Sequence, residues 1–129
     1  MNEIKRHTLA VLVDNEAGVL SRVVRLFSGK GYNIESLAVG ETDVQNISRI
    51  TIEVLADEKQ ARLLSNQLRK LICVHSVKML ASEHSIRREL VLIKVLAPTS
   101  EVRNQIVQIA NIFQSSTNAT GLSIAYMMR

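Results

Sequence analysis

The sequence predicts an α+β fold in which two helices cover one face of an antiparallel sheet. Three observations lead to it. Strand-like and helical segments follow the order β-α-β-β-α-β within residues 1–80, one strand alternates cleanly between apolar and polar residues, and both helices carry an apolar stripe. The core of this fold is expected to consist of Val, Ile and Leu, because aromatic residues make up only 3% of the 129-residue chain.

The first three elements are a strand, a helix and a strand. The strand covers Arg6 to Val13, a mostly apolar segment that stops at a turn. Apolar residues then recur at helical spacing from Val19 to Phe27, and glycines after this segment end the helix. The second strand is predicted over Ile34 to Glu41.

The next three elements are again a strand, a helix and a strand. Ser48 to Val54 alternates between apolar and polar residues, which is typical of a sheet with one solvated face. Asp57 begins a helix whose apolar stripe runs from Ala61 to Leu71, and Cys73 to Leu80 forms the fourth strand.

The remaining residues predict a second, partial unit. Residues 81–86 are polar and lack periodicity, so a linker is expected there. The unit at 87–129 is predicted to contain a strand over 87–96, a helix over 100–113 and an irregular tail. Because one strand and one helix cannot bury their own apolar faces, this βα piece is expected to pack against another surface.

Composition and charge argue against several function classes. The net charge of +4 comes from dispersed basic residues, and few aromatic side chains exist for base stacking, so no nucleic-acid partner is expected. No apolar run approaches the ~20 residues that span a bilayer, so no membrane partner is expected. The single cysteine, Cys73, permits no internal disulfide and favours a reducing compartment, which indicates the cytoplasm.

No catalytic or metal site is predicted. The three histidines, His7, His75 and His84, lack metal-ligand spacing with one another or with Cys73. Cys73 itself is interpreted as a small buried hydrophobic residue. The chain is therefore expected to catalyse nothing and to carry no cofactor.

The turn before the first helix is the strongest candidate binding site. Asn15, Glu16 and Ala17 precede Gly18, and the helix then starts at Val19 and Leu20. A glycine permits close approach of a ligand, and the free N–H groups and positive dipole of a helix start attract a carboxylate. This turn is predicted to bind a carboxylate group.

A second candidate lies at Gly31 to Ser36 (GYNIES), where Asn33 enters the second strand. The Asn33 amide offers both a donor and an acceptor for an ammonium or carboxylate group. In a β-α-β unit this segment and the turn before the helix lie at opposite ends of the helix. One small molecule can contact both only if a second copy of the chain presents one of them.

Three sequence segments resemble a known family: DNEAGVLSRV, LFSGKGYNIESL and SRITIEV. They resemble the amino-terminal ACT domain of the small subunit of acetolactate synthase (acetohydroxyacid synthase, AHAS), and the resemblance spans Arg6 to Leu96. It implies a ferredoxin-like βαββαβ ACT domain and a regulatory subunit without catalytic activity. That subunit would bind and activate a thiamine-diphosphate-dependent catalytic subunit and confer feedback inhibition by valine or a related branched-chain amino acid.

The resemblance also implies an assembly and a site. ACT domains of this family pair side by side as homodimers, and the effector binds at the dimer interface. Its carboxylate and ammonium groups would meet Asn15 to Leu20 of one copy and Asn33 and Ile34 of the other. Residues from Gln114 onward do not resemble the family's continuation.

Two other interpretations remain open at this stage. One is an ACT-like interaction module that does not respond to an effector. The other is a nucleic-acid-binding protein of ferredoxin-like fold, although SRITIEV offers no aromatic side chain for the open sheet face.

Overall fold

The structure, a computed structural model, describes residues 3–113, 116–118 and 123–128. The chain divides into two compact units, Met1–Ser85 and Ile86–Arg129. The division falls at the polar segment 81–86, in which Ser82–His84 form one turn of 3-10 helix.

The first unit contains six elements in the predicted order. They are β1 (Lys5–Asp14), α1 (Val19–Gly29), β2 (Ile34–Glu41), β3 (Ile47–Ala56), α2 (Glu58–Leu68) and β4 (Val74–Leu80). The four strands form an antiparallel sheet in the order β2-β3-β1-β4. The predicted α+β, ferredoxin-like fold is confirmed.

The two central strands are longer than the sequence pattern predicts. β1 and β3 pair continuously from Lys5 opposite Ala56 to Asp14 opposite Ile47. Backbone hydrogen bonds carry this pairing past the ends of the apolar segments, where side-chain alternation gives no signal. β1 therefore extends to Asp14, directly before the predicted binding turn.

The core of the first unit lies between the sheet and the two helices. Alternate residues of the central strands face it, and the helices contribute residues at helical spacing. Its buried members are Leu9, Val11, Val13, Val19, Val23, Phe27, Ile50, Ile52, Val54, Leu64, Leu68, Cys73 and Val77. The interpretation of Cys73 as a buried hydrophobic residue is confirmed.

Helix α2 begins with a capping box. Asp57 accepts a hydrogen bond from the Gln60 backbone N–H at 2.7 Å, and the Gln60 side chain accepts one from the Asp57 N–H at 3.0 Å. One turn further on, Arg62 donates to Glu58 at 2.6 Å, and this hydrogen bond holds the pKa of the Glu58 carboxyl below its ordinary value. Local side chains therefore satisfy backbone N–H groups at the helix start predicted at Asp57.

Strand β2 forms one edge of the sheet and leaves apolar side chains exposed. Leu37 pairs with Ile52 and Val39 pairs with Ile50, so these two side chains lie on the core face of the sheet. They nevertheless remain 39% and 51% exposed. The apolar face of the sheet thus extends beyond the area that α1 and α2 cover.

The second unit contains a helix and a three-stranded sheet. Its elements are β5 (Glu89–Lys94), α3 (Ser100–Ile112), β6 (Ser116–Asn118) and β7 (Ser123–Met128), and the sheet order is β5-β7-β6. Thr99 caps α3 by accepting a hydrogen bond from the Val102 N–H at 3.3 Å. β5 is shorter than the strand predicted over 87–96.

The prediction of an irregular tail after Phe113 is wrong. β7 pairs with β5 from Glu89 opposite Met128 to Lys94 opposite Ser123, and β6 pairs with β7. β6 is a three-residue polar segment and β7 does not alternate between apolar and polar residues, which is why the local pattern missed both strands. The parts of the predicted tail at 114–115, 119–122 and 129 lie outside the described residues.

Candidate functional site

The turn between β1 and α1 is exposed and fixed by backbone hydrogen bonds. The Asn15 N–H donates to the Asn46 carbonyl, in the turn between β2 and β3, at 2.8 Å. On the preceding residue, the Asp14 N–H donates to the Cys73 carbonyl at 2.9 Å. The start of the turn is therefore hydrogen-bonded both to the turn between β2 and β3 and to the residue that precedes β4.

Gly18 precedes the first residue of α1 and has a left-handed backbone, with φ +86°. A Cβ built on it would meet no atom within 4 Å. Glycine is therefore favoured at this position by the left-handed backbone conformation and not by a lack of space for a side chain. No side chain caps this helix start, and its first turn contains no acidic residue. The positive end of α1 is open to an anion.

Most of the residues predicted around this turn lie together at the surface. Asn15, Glu16, Ala17, Gly18 and Leu20 are all exposed there. The Val19 side chain differs, because it is buried in the core. Val19 can therefore face a ligand only through its backbone.

Asn33 and Ile34 lie at the other end of α1, just before and at the start of β2. The Asn33 side-chain amide donates to the Glu35 carboxylate at 3.4 Å. Ile34 is half-buried and packs against the core. Within one chain, the structure does not bring these two residues to the turn before α1.

Two residues that the sequence reasoning missed contact this turn. The Glu41 carboxylate, at the end of β2, accepts a hydrogen bond from the Asn15 side-chain amide at 3.3 Å. His75 Nε2, in β4, lies 2.6 Å from Asp14 Oδ1. These partners are 26 and 61 positions apart, so only the folded sheet reveals them.

The described residues contain no group of three or more His, Cys, Asp or Glu side chains arranged to hold a metal ion. Within the same part of the chain, no helix combines the length and apolar character needed to cross a membrane. The four strands of the first sheet carry no Phe, Tyr or Trp. The exposed turn before α1 remains the candidate binding site that the sequence predicts.

Comparison with known proteins gives concordant matches. A family model described as the AHAS small subunit-like ACT domain matches residues 9–76. The acetolactate synthase small subunit of Aquifex aeolicus is 45% identical over 112 residues, which are 87% of this chain and 58% of that protein. The chain thus spans less than two thirds of the length of this relative.

Solved structures are also similar to the chain. The acetolactate synthase small subunit from Thermotoga maritima matches with a TM-score of 0.86 and 32% identity, over 96% of this chain and 79% of that one. The ACT domain of GTP pyrophosphokinase from Chlorobium tepidum matches with a TM-score of 0.53 and 16% identity, over 60% of this chain and 100% of that one. The second similarity concerns the fold alone. With more than half of its residues inside the family match, the chain belongs to the family of AHAS small subunit-like ACT domains.

Proposed function

We propose that this chain is a non-catalytic regulatory subunit of acetolactate synthase in branched-chain amino acid biosynthesis. In a cytoplasmic complex it activates a catalytic subunit, which holds thiamine diphosphate, and makes that subunit sensitive to L-valine or a related amino acid. The observation that carries the proposal is the 45% identity to the Aquifex aeolicus small subunit across 87% of this chain. The exposed turn before α1 supports it as an effector site.

The start of α1 suits the effector's carboxylate. Gly18 leaves open space where a side chain would stand, and no acidic residue occupies the first helical turn. A carboxylate placed there meets backbone N–H groups and the positive end of the helix dipole.

The effector's ammonium group requires an acceptor nearby. The Glu41 carboxylate lies beside the turn, because it accepts a hydrogen bond from the Asn15 side chain. In the proposed dimer, Asn33 and Ile34 of a second copy complete the site from the other side. The effector then lies between two chains, and its binding depends on their pairing.

The exposed edge of the first sheet supports pairing with a second copy. β2 ends the sheet, and its core-facing Leu37 and Val39 remain exposed. A second β2 placed alongside would extend the sheet and cover both side chains. The same pairing brings the Asn33 end of one chain toward the partner.

We expect Val39→Glu to convert the dimer into a monomer, because it places a charge on the apolar face at this edge. Light scattering at roughly ten times the wild-type dissociation constant measures the change. Val44→Glu is the matched control, since Val44 is 58% exposed in the turn after β2. A monomeric wild type, or a dimeric Val39→Glu variant, contradicts the proposed pairing.

We expect Glu41→Gln to weaken L-valine binding about three- to tenfold, because a charge-assisted hydrogen bond to the ammonium is lost. Isovalerate, which has the same carbon skeleton without the ammonium, should bind both proteins equally. Asp43→Asn removes the same charge nearby and serves as the control. Isothermal titration calorimetry measures all three proteins. Equal losses for valine and isovalerate would show that Glu41 does not recognise the ammonium.

The experiment that tests the proposed function is reconstitution with the catalytic subunit from the same organism. Acetolactate formation is measured with and without this chain, and then with increasing L-valine, isoleucine or leucine. The proposal expects stimulation by the chain and inhibition by at least one of these amino acids. Stimulation without inhibition would favour an interaction module that lacks effector response. If the chain produces neither stimulation nor inhibition, the regulatory assignment is contradicted.

A further inference from the structure

A short contact between β1 and β4 lies directly beside the proposed effector turn. His75 Nε2 and Asp14 Oδ1 are 2.6 Å apart, and both side chains are partly exposed, at 49% and 35%. An ionised carboxylate only accepts hydrogen bonds, so the His75 Nε2–H is the donor. Asp14 is the last residue of β1, and Asn15 begins the turn.

The contact occurs where regular pairing between the two strands is interrupted. The register of β1 against β4 shifts between Leu12 and Val13. Beyond this shift, the Asp14 N–H donates to the Cys73 carbonyl, which lies outside β4. Pairing resumes with Val13 opposite Val74, and the His75 side chain supplies an additional connection at the end of β1.

Asn15 is held from the other side of the turn. Its N–H donates to the Asn46 carbonyl at 2.8 Å, and its side chain donates to Glu41 at 3.3 Å. Asp14 and Asn15 are consecutive, so the chain leaving β1 is attached to β4 through one residue and to the β2–β3 turn through the next. Both attachments act before the backbone reaches Gly18.

We propose that His75 is a positioning residue for effector binding, which it supports by holding Asp14 and so fixing the path of the chain from β1 to Gly18. This inference rests on the proposed function. A turn that already has its bound conformation loses less conformational entropy when the ligand arrives. His75 itself does not contact the effector.

The test combines a double-mutant cycle with a conservative variant. His75→Ala and Asp14→Ala should each weaken L-valine binding about two- to fivefold, the range expected for one partly exposed side-chain hydrogen bond. The His75→Ala/Asp14→Ala double variant should bind no more weakly than either single variant. His75→Gln retains a donor near the position of Nε2 and should restore affinity close to that of the wild type. Ser76→Ala, at the neighbouring exposed position of β4, is the control.

Amide hydrogen exchange of Asn15 in the ligand-free protein provides an independent measurement. Its N–H should exchange faster in His75→Ala than in the wild type, and at the wild-type rate in His75→Gln and Ser76→Ala. Wild-type affinity and exchange in His75→Ala, or fully additive losses in the double variant, would overturn the inference. A wild-type protein that does not bind valine contradicts the proposed function instead, and unchanged Asn15 exchange in His75→Ala then separately rejects the positioning role.

Discussion

Replacing Gly18 with aspartate is expected to abolish L-valine binding while the protein stays folded. Gly18 has φ +86°, a conformation that costs an L-amino acid about 1 kcal/mol, which is small beside the ~5–15 kcal/mol stability of an ordinary domain. A built Cβ meets open space, so no steric clash adds to this cost. The new carboxylate would itself occupy the positive end of α1 and repel the effector's carboxylate.

Gly18→Asn is the matched control for this prediction. Asparagine has nearly the same shape as aspartate, tolerates the left-handed conformation and carries no charge. Isothermal titration calorimetry should show no valine binding to Gly18→Asp and measurable binding to Gly18→Asn, while circular dichroism shows both proteins folded. Wild-type affinity in Gly18→Asp would remove the helix start from the site. Equal loss in both variants would point to occupied space instead of charge.

Replacing Phe27 with alanine is expected to lower the free energy of unfolding more than any other substitution proposed for this protein. Phe27 is 0% exposed and lies in the last turns of α1, against the core of the first unit. Truncating a buried phenylalanine removes its transfer free energy and leaves a cavity, at a cost of about 3–5 kcal/mol. That loss is a large part of the whole stability of a domain this size.

Urea unfolding monitored by circular dichroism measures the free energy of unfolding. Phe27→Leu, which refills most of the cavity, should lose distinctly less stability than Phe27→Ala. Ile72→Ala, at a side chain that is 100% exposed, should change the free energy of unfolding by no more than about 0.5 kcal/mol. A Phe27→Ala loss below about 1 kcal/mol would show that α1 is not anchored by this side chain.

Because α1 carries the proposed site at its start and Phe27 near its end, the two predictions are connected. A loosened α1 should weaken valine binding in Phe27→Ala even though Phe27 lies far along the helix from Gly18. Gly18→Asp, in contrast, should abolish valine binding and leave most of the free energy of unfolding unchanged. The ratio of lost affinity to lost stability therefore separates a site residue from a core residue.

Much of the first unit can be predicted from local pattern. The alternation in Ser48 to Val54 and the apolar stripe of α1 each require a particular backbone periodicity, because one face of each element must be buried. The turn residues and the acceptor side chain of Asp57 mark element ends for equally local reasons. The β-α-β-β-α-β order and the ferredoxin-like fold follow from these signals.

The second unit shows where this reasoning fails. Its helix α3 has a local apolar pattern and a local cap at Thr99, and it was predicted. β7 pairs with β5, which lies before α3 in the chain, and β6 pairs with β7. Because β6 is short and polar and β7 lacks alternation, neither segment carries the periodic signal that identifies β3.

By itself, the sequence determined that Gly18 stands at a helix start with an exposed, polar turn before it, since glycine placement and helical spacing are local properties. Only the tertiary structure decided that Glu41 reaches Asn15 and that His75 reaches Asp14. It also decided that Leu37 and Val39 remain uncovered at a sheet edge. These facts depend on strand order and register, which arise from contacts between segments far apart in the chain.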